Sequence, residues 1–162
     1  MTLESALHEA TALRFLCTGN AVRSAFAELY ARHLGCPLPV DSAATLYRNA
    51  ELFPETRAAL LERGVAARTL ERFAPRHLDR LEPDPDPRLL VLGMSLAHLA
   101  AWRARFPGHG NAFRLAEVLG RAEDIADPVL EGAAFRPTFE RVACCVEALV
   151  ARLRPGENPS RR

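Results

Sequence analysis

Four short apolar runs separated by amphipathic segments predict an α/β domain with a parallel sheet. The runs cover residues 12–16, 37–42, 88–94 and 111–115. The third run is apolar almost throughout, as strands in the middle of a parallel sheet are. Because strand and helix patterns alternate along the chain, the predicted fold is a doubly wound, three-layer αβα domain with a four-stranded parallel sheet. Functional sites in such sheets lie at the carboxyl ends of the strands.

Helical periodicity accounts for the longer segments between and after these strands. Apolar residues recur at helical spacing in residues 24–34, 55–63, 96–106 and 135–153. Pro54 and Ser95 are favourable residues for starting the second and third helices, and Gly35 is a favourable residue for ending the first. The last segment carries the most regular apolar face.

Composition and charge are those of an ordinary globular protein. The 162 residues are 49% hydrophobic and 25% charged, which is sufficient for one domain with a substantial core. We assign residues 1–154 to that domain and residues 155–162 to a disordered tail. The formal net charge of +1 argues against a broad surface for nucleic acid or membranes. No apolar run approaches ~20 residues and no signal-peptide pattern is present at the start, so we expect a cytoplasmic protein.

The most informative stretch joins the first strand to the first helix and reads Cys-Thr-Gly-Asn-Ala-Val-Arg-Ser over residues 17–24. The first amides of a helix have no partner within the helix, and the helix dipole favours negative charge there. A loop that curls its N–H groups inward adds further donors. We therefore predict a phosphate-binding loop between strand 1 and helix 1, whose contributing residues are Thr18, Gly19, Asn20, Ala21, Val22 and Ser24.

Two side chains of this loop carry the predicted chemistry. Arg23 supplies a planar fork that binds two phosphate oxygens at once. Cys17 lies at the bottom of the loop, among donors and partial positive charge, and such surroundings favour a nucleophilic thiolate. Gly19 is expected where the loop needs a positive φ or a close approach of its backbone.

The string, together with Ala27 and Glu28, resembles the active-site loop of the low-molecular-weight protein tyrosine phosphatases and of arsenate reductases with the same fold. Residues 41–45, Asp-Ser-Ala-Ala-Thr, are similar to a segment that lies beside this loop in the family, and Ser42 is expected to brace Asn20. The resemblance implies a phosphocysteine mechanism that needs neither metal nor cofactor. It also implies that Tyr47 lies near an aromatic wall of the substrate cleft; a solvated loop tyrosine is the alternative.

The family's general acid is the aspartate of an Asp-Pro pair far downstream, and Asp127-Pro128 lies at the matching position. Asp84-Pro85 and Asp86-Pro87 are also present, but they precede the central strand and so belong to the wrong side of the sheet. We therefore assign proton donation to the leaving group, and activation of water afterwards, to Asp127. Asp124 is the alternative.

Other side chains with potential chemistry are assigned to packing. His98 and Trp102, four residues apart, are expected to pack in the core or on a helix face. Cys144 and Cys145 lie within the last predicted helix and are expected to be core thiols. The chain has no Cys-x-x-Cys spacing for zinc, and four cysteines in this length do not indicate a disulfide scaffold.

The predicted function is hydrolysis of a phosphorylated protein or a small phosphoester, with protein tyrosine phosphatase as the leading interpretation. Val22 stands where many members have a second cysteine, and Val129 and Leu130 stand where many have aromatic residues. One alternative is an arsenate reductase that uses Cys17 with an external thiol, since residues 65–100 contain no cysteine for an internal relay. The other is a non-catalytic phosphate-binding regulator. Nothing in the sequence indicates the oligomeric state.

Overall fold

The fold is a four-stranded parallel sheet with helices on both faces. The structure, a computed structural model, describes residues 1–156. Its strands are β1 (Ala12–Cys17), β2 (Val40–Ala44), β3 (Leu89–Gly93) and β4 (Ala112–Arg114). They lie in the order β2-β1-β3-β4, and every neighbouring pair is parallel. The predicted fold class is confirmed.

Six α-helices surround this sheet within residues 1–156. They are α1 (Leu3–Glu9), α2 (Arg23–His33), α3 (Pro54–Glu62), α4 (Ala67–Arg72), α5 (Leu96–Arg105) and α6 (Phe135–Leu153). Short 3-10 turns occur at Leu78–Arg80 and Leu115–Leu119. No helix in the part of the chain that the structure describes combines the length and apolar content needed to cross a bilayer.

Alternation of side chains along the two central strands divides the core between the two faces of the sheet. Phe15 of β1 faces a large cluster that includes α2 and α6, whereas Leu16 faces a smaller cluster that includes Trp102 of α5. Both central strands are buried along almost their whole length. This arrangement fixes the carboxyl end of β1, and therefore Cys17, between β2 and β3.

Most predicted boundaries differ from the observed ones by about one residue, but the second strand and the start of the chain differ by more. The second strand was predicted over residues 37–42 but runs from Val40 to Ala44, because Pro37 and Pro39 have no amide hydrogen to donate to a ladder. Residues 3–9, to which the sequence analysis assigned no element, form α1, and the hydroxyl of Thr2 accepts a hydrogen bond from the Ser5 amide at its start.

Helix α6 coincides with its prediction. The predicted tail extends beyond the described residues from position 157 onward. The single-domain assignment of residues 1–154 therefore stays a prediction.

Candidate active site

Residues 17–24, here called the cysteine loop, connect β1 to α2 at the carboxyl edge of the sheet. Residues 45–53 lie along the outer side of this loop and donate their amides to its carbonyls. The donor–acceptor pairs are Thr45 N to Cys17 O (2.9 Å), Leu46 N to Thr18 O (3.2 Å), Asn49 N to Gly19 O (3.1 Å) and Phe53 N to Ala21 O (3.2 Å). Since the N–H and C=O of a trans peptide point in opposite directions, these contacts turn the loop amides inward. Within residues 1–156, none of the amides of residues 18–24 donates to another protein group. The loop is thus a ring of free donors at the start of a helix, as anion sites are.

The left-handed residue of the cysteine loop is Asn20, with φ 55°, and not Gly19 as the sequence indicated. An asparagine tolerates this conformation when its side chain is held locally. Gly19 is required for the second reason that the sequence offered, close approach: a Cβ there would overlap the side-chain amide of Asn49 and crowd the ring of Tyr47. Asn49 Nδ2 in turn donates to the carbonyl of Gly19 (3.0 Å).

Asn20 is fully buried, and its side-chain amide makes three hydrogen bonds. Its Nδ2 donates to the hydroxyls of Ser24 (2.9 Å) and Ser42 (2.8 Å), and its Oδ1 accepts from the backbone amide of Arg76 (2.9 Å). This set uses both amide hydrogens of Asn20. It ties the loop to β2 and to the segment that follows α4.

These bonds fix the direction in which two hydroxyl groups donate. Ser42 accepts from Asn20 and donates to Oε1 of Glu28 (2.9 Å). Ser24 accepts from Asn20, and its oxygen lies 2.9 Å from Cys17 Sγ, so its proton is directed at the sulfur. Burial raises the pKa of the Glu28 carboxyl, while Arg32 at 3.4 Å and the Ser42 hydroxyl act in the opposite direction. Independently of Glu28, the Ser24 hydroxyl is a donor aimed at the sulfur of Cys17.

Arg23 is the first residue of α2, and its guanidinium is buried beneath the segment that carries Asp127. Its Nη1 donates to the carbonyl of Ile125 (2.7 Å), and its Nη2 lies 3.1 Å from Asp127 Oδ2 and 3.3 Å from Thr18 Oγ1. Ile125 is itself held by its amide, which donates to the carbonyl of Met94 just after β3 (2.8 Å). The cysteine loop and residues 123–130, here called the acid segment, are therefore joined through one arginine.

Of the candidate acids, Asp127 is the one that contacts Arg23. Its other oxygen accepts from the amides of Val129 (2.8 Å) and Leu130 (3.3 Å), which orients the carboxyl. Asp124 is exposed and accepts instead from the amide of Leu96 at the start of α5 (3.1 Å). Asp86 accepts from Thr11, just before β1, and therefore lies at the opposite edge of the sheet.

A narrow crevice at Cys17 is lined by three segments of the chain. The cysteine loop contributes Ala21 and Val22, residues 45–53 contribute Tyr47, Asn49 and Phe53, and the acid segment contributes Asp127 and Val129. Tyr47 thus lines the crevice at its lip and remains about 41% exposed. Sequence reasoning missed Asn49 and Phe53, because residues 46–53 have no periodicity that would single them out.

His98 was expected to be a packing residue, and the structure gives it a polar role beside the cysteine loop. Its Nε2 lies 3.1 Å from Thr18 Oγ1, and its Nδ1 accepts from the amide of Ser95 (3.1 Å), the residue that caps α5. Burial, followed by the charge of Arg23, lowers the pKa of His98 to about 4. Trp102 does pack in the core, where it is fully buried. The sequence signal that could have indicated this polar role is a histidine three residues after a capping serine, on a helix that starts at the carboxyl edge of the sheet.

The four cysteines are unpaired. Cys145 is a core thiol as expected, and burial raises its pKa to about 11. The same expectation for Cys144 is wrong, because that side chain lies on the exposed face of α6. In residues 1–156, no group of three or more histidine, cysteine or carboxylate side chains is arranged to hold a metal ion.

Solved structures with the same fold identify the class of protein. No family model and no curated protein matches the chain. A YwlE arginine phosphatase from Geobacillus stearothermophilus is 25% identical, with a TM-score of 0.75 over 88% of this chain and 92% of that one. A YwlE mutant from Bacillus subtilis is 27% identical (TM-score 0.72, covering 89% and 99%). A low-molecular-weight protein tyrosine phosphatase from Bacillus subtilis is 26% identical (TM-score 0.68, covering 93% and 99%).

The parallel sheet and its flanking helices are shared with these phosphatases, and in this chain Cys17 lies at the carboxyl end of β1. The fold is that of the low-molecular-weight protein tyrosine phosphatases, and the likeness to these enzymes indicates that the chain is a phosphatase. The resemblance predicted from residues 17–28 and 41–45 is confirmed.

Proposed function

We propose that this protein removes phosphoryl groups from phosphorylated proteins, with phosphotyrosine as the leading substrate, through a phosphocysteine intermediate on Cys17. The observation that carries the proposal is the convergence of three groups in one crevice. Cys17 Sγ receives the Ser24 hydroxyl at 2.9 Å, inward-facing amides surround it, and Arg23 Nη2 lies 3.1 Å from Asp127 Oδ2. Nucleophile, oxyanion donors and acid are the three parts that phosphoryl transfer requires.

In the first step, the Cys17 thiolate attacks phosphorus and the bond from phosphorus to the leaving oxygen breaks. Arg23 and the loop amides bind the other phosphoryl oxygens. Because these oxygens compete with Asp127 for the Nη2 group of Arg23, the Asp127 carboxyl is released to face the leaving group. Asp127 gives its proton to the departing oxygen. In the second step, Asp127 takes a proton from water, which attacks phosphorus. Inorganic phosphate leaves, and the Ser24 hydroxyl stabilises the thiolate that is released.

The rim of the crevice supports a protein substrate over a small phosphoester. Tyr47 and Val129 line the crevice, and Leu46 and Leu130, their neighbours in the chain, are 68% and 58% exposed. Exposed apolar groups grouped around a polar cleft are typical of interaction surfaces. A peptide chain that flanks the phosphorylated residue would cover them, whereas a small phosphoester would leave them in water.

Phosphoarginine is the second candidate substrate. The observation that favours it is the likeness to the Geobacillus stearothermophilus protein described as an arginine phosphatase. Val129 lines the crevice together with Asp127, and its aliphatic side chain offers an apolar surface to an alkyl chain as well as to a ring. Asp127 could protonate the guanidine nitrogen when the phosphorus–nitrogen bond breaks.

Arsenate reduction would need a thiol from outside the chain. Cys36 lies beyond the far end of α2, an 11-residue helix of about 16 Å that begins at the cysteine loop. Cys145 is buried in the core and Cys144 faces solvent on α6. An arsenate reductase therefore remains a candidate only if a small external thiol takes part. A phosphate-binding regulator remains a candidate only if the protein turns over no substrate.

The test compares one peptide sequence carrying phosphotyrosine, phosphoserine or phosphoarginine at a single position, with Cys17→Ser as the matched inactive variant. Arsenate with a small thiol is assayed in parallel. The highest kcat/KM on the phosphotyrosine peptide supports the proposal, and preference for phosphoarginine selects the second candidate. Arsenate reduction without peptide hydrolysis, or phosphate binding without any turnover, would contradict both.

A further inference from the structure

The histidine beside the cysteine loop has a defined tautomer. Nδ1 of His98 accepts from the Ser95 amide at 3.1 Å, so the proton of the neutral ring lies on Nε2. Nε2 therefore donates to Thr18 Oγ1, also at 3.1 Å. The imidazole links the first turn of α5 to the residue that follows the nucleophile.

The surroundings of the ring keep it neutral. His98 is 3% exposed, and the charged groups that face it are Arg23 from the cysteine loop and Asp127 and Asp124 from the acid segment. Burial and the positive charge of Arg23 outweigh the two carboxylates and lower the pKa of His98 to about 4. Because the ring stays neutral at neutral pH, Nε2 remains the donor in the hydrogen bond to Thr18 there.

The Thr18 hydroxyl receives two donors. Besides His98 Nε2, the Nη2 group of Arg23 lies 3.3 Å from Thr18 Oγ1. The other acceptors of the guanidinium are the Ile125 carbonyl and the Asp127 carboxylate. When the carboxyl turns to a leaving group during catalysis, Thr18 and Ile125 are the contacts that keep the arginine in place. The rotamer of Thr18 then decides where Nη2 points.

We infer that His98 is a positioning residue for the proposed phosphatase reaction: its Nε2 hydrogen fixes the Thr18 hydroxyl, and this hydroxyl holds the Arg23 fork in the orientation that binds phosphoryl oxygens. The kinetic part of this inference rests on the proposed function. The part that concerns oxyanion binding can be tested even if the protein turns over no substrate. Ser95 contributes by fixing the tautomer.

Two substitutions separate the two hydrogen bonds of the ring. In His98→Asn, the short side chain places an oxygen near the Nδ1 position, which keeps the Ser95 contact and loses Thr18. In His98→Gln, the longer side chain places an NH₂ group near the Nε2 position, which keeps Thr18 and loses Ser95. If His98 were merely structural, the effects of the two variants would not depend on which of them keeps the contact with Thr18.

The readouts are kcat/KM on the phosphotyrosine peptide, the dissociation constant of vanadate by calorimetry, and the thermal unfolding midpoint. We expect His98→Asn to weaken vanadate binding and to lower kcat/KM, each by about five- to tenfold, the effect of one lost hydrogen bond. We expect His98→Gln to remain within about threefold of the parent in both, again on the scale of less than one hydrogen bond. Thr18→Val should reproduce the loss, and adding His98→Asn to it should cost little more.

Vanadate affinity of His98→Asn equal to the parent's would overturn the inference. So would equal losses in both histidine variants with equally lowered unfolding midpoints, because that result describes a structural residue. If the parent binds vanadate but hydrolyses no peptide, the proposed function fails while the vanadate series still decides the role of His98. If either histidine variant fails to fold, the comparison of Thr18→Val with Thr18→Ser decides it: equal vanadate affinity in these two would also overturn the inference.

Discussion

Replacing Asn20 by aspartate tests whether hydrogen-bond direction activates the nucleophile. Asn20 donates to Ser24 and Ser42, which leaves the Ser24 proton free for Cys17 Sγ. Asn20→Asp has almost the same shape, but a carboxylate only accepts. Both hydroxyls must then donate to it, and Ser24 can no longer donate to the sulfur. The Arg76 amide keeps its acceptor.

The expected loss follows from that single donor. A hydrogen bond to a charged group contributes about 1.5–3 kcal/mol, so kcat/KM on a phosphotyrosine peptide should fall by about 10- to 100-fold. The rate at which iodoacetamide alkylates Cys17 at neutral pH should fall too, because less thiolate is present. The deficit of both rates relative to the parent at the same pH should narrow as the pH falls and the introduced carboxylate, close to Glu28, takes up a proton.

Ser24→Ala is the matched control, since it removes the same donor without adding a charge. We expect it to lower kcat/KM and the alkylation rate to a similar degree, and the double variant to lose little beyond either single one. Unchanged alkylation in both single variants would refute the reasoning. A loss in Asn20→Asp that is absent from Ser24→Ala would also refute it, because the effect would then come from the buried charge.

Three further predictions concern the acid, a salt bridge and the thiols. Asp127→Asn should lower turnover of phosphotyrosine at least about tenfold more than that of p-nitrophenyl phosphate, whose leaving group departs without a proton. Asp124→Asn should have little effect on either substrate. Equal losses on both substrates in Asp127→Asn would show that Asp127 is not the general acid. Burial opposes ionisation of Asp41, but its contacts with Arg14 (2.7 Å) outweigh this and lower the pKa of that carboxyl. Its stabilisation is therefore complete above the unfolded pKa of about 4 and is lost as the pH falls through the lower folded value, so urea unfolding of Asp41→Asn should show less loss of stability in acid than the parent. Peroxide should inactivate the enzyme at Cys17 without forming a disulfide to another cysteine of the chain, and peptide mapping that found such a bridge would contradict the separation of the four thiols.

The periodicity of the sequence was sufficient for the fold, because buried parallel strands and an amphipathic final helix leave strong patterns. The third strand, predicted over residues 88–94 and observed at Leu89–Gly93, and the whole of α6 follow from apolar spacing alone. The second strand was misplaced because Leu38 and Val40 continue an apolar run through two prolines. The strand propensity of these residues does not show which of them pairs with a neighbouring strand.

The site was predictable where one motif contains the chemistry and less so where tertiary contacts assign it. Gly19 was the natural candidate for positive φ, yet the buried partners of Asn20 hold that residue in the left-handed region instead. His98 has the spacing of a packing residue with Trp102, and only the fold brings it to Thr18. Asn49 and Phe53 reach the crevice because residues 45–53 bind the carbonyls of the cysteine loop, a pairing with no local sequence signal.

The central claim is that the phosphoryl group passes through Cys17. The most direct measurement is acid quenching of the enzyme during turnover of a phosphotyrosine peptide, followed by mass spectrometry of its proteolytic fragments. The account predicts one added phosphoryl group on the fragment that contains Cys17 and none in Cys17→Ala. In Asp127→Asn the amount should be larger when p-nitrophenyl phosphate is the substrate, because its leaving group departs without the acid while the second step lacks its base. Undiminished hydrolysis by Cys17→Ser, or a phosphoryl group found on a different cysteine, would contradict it.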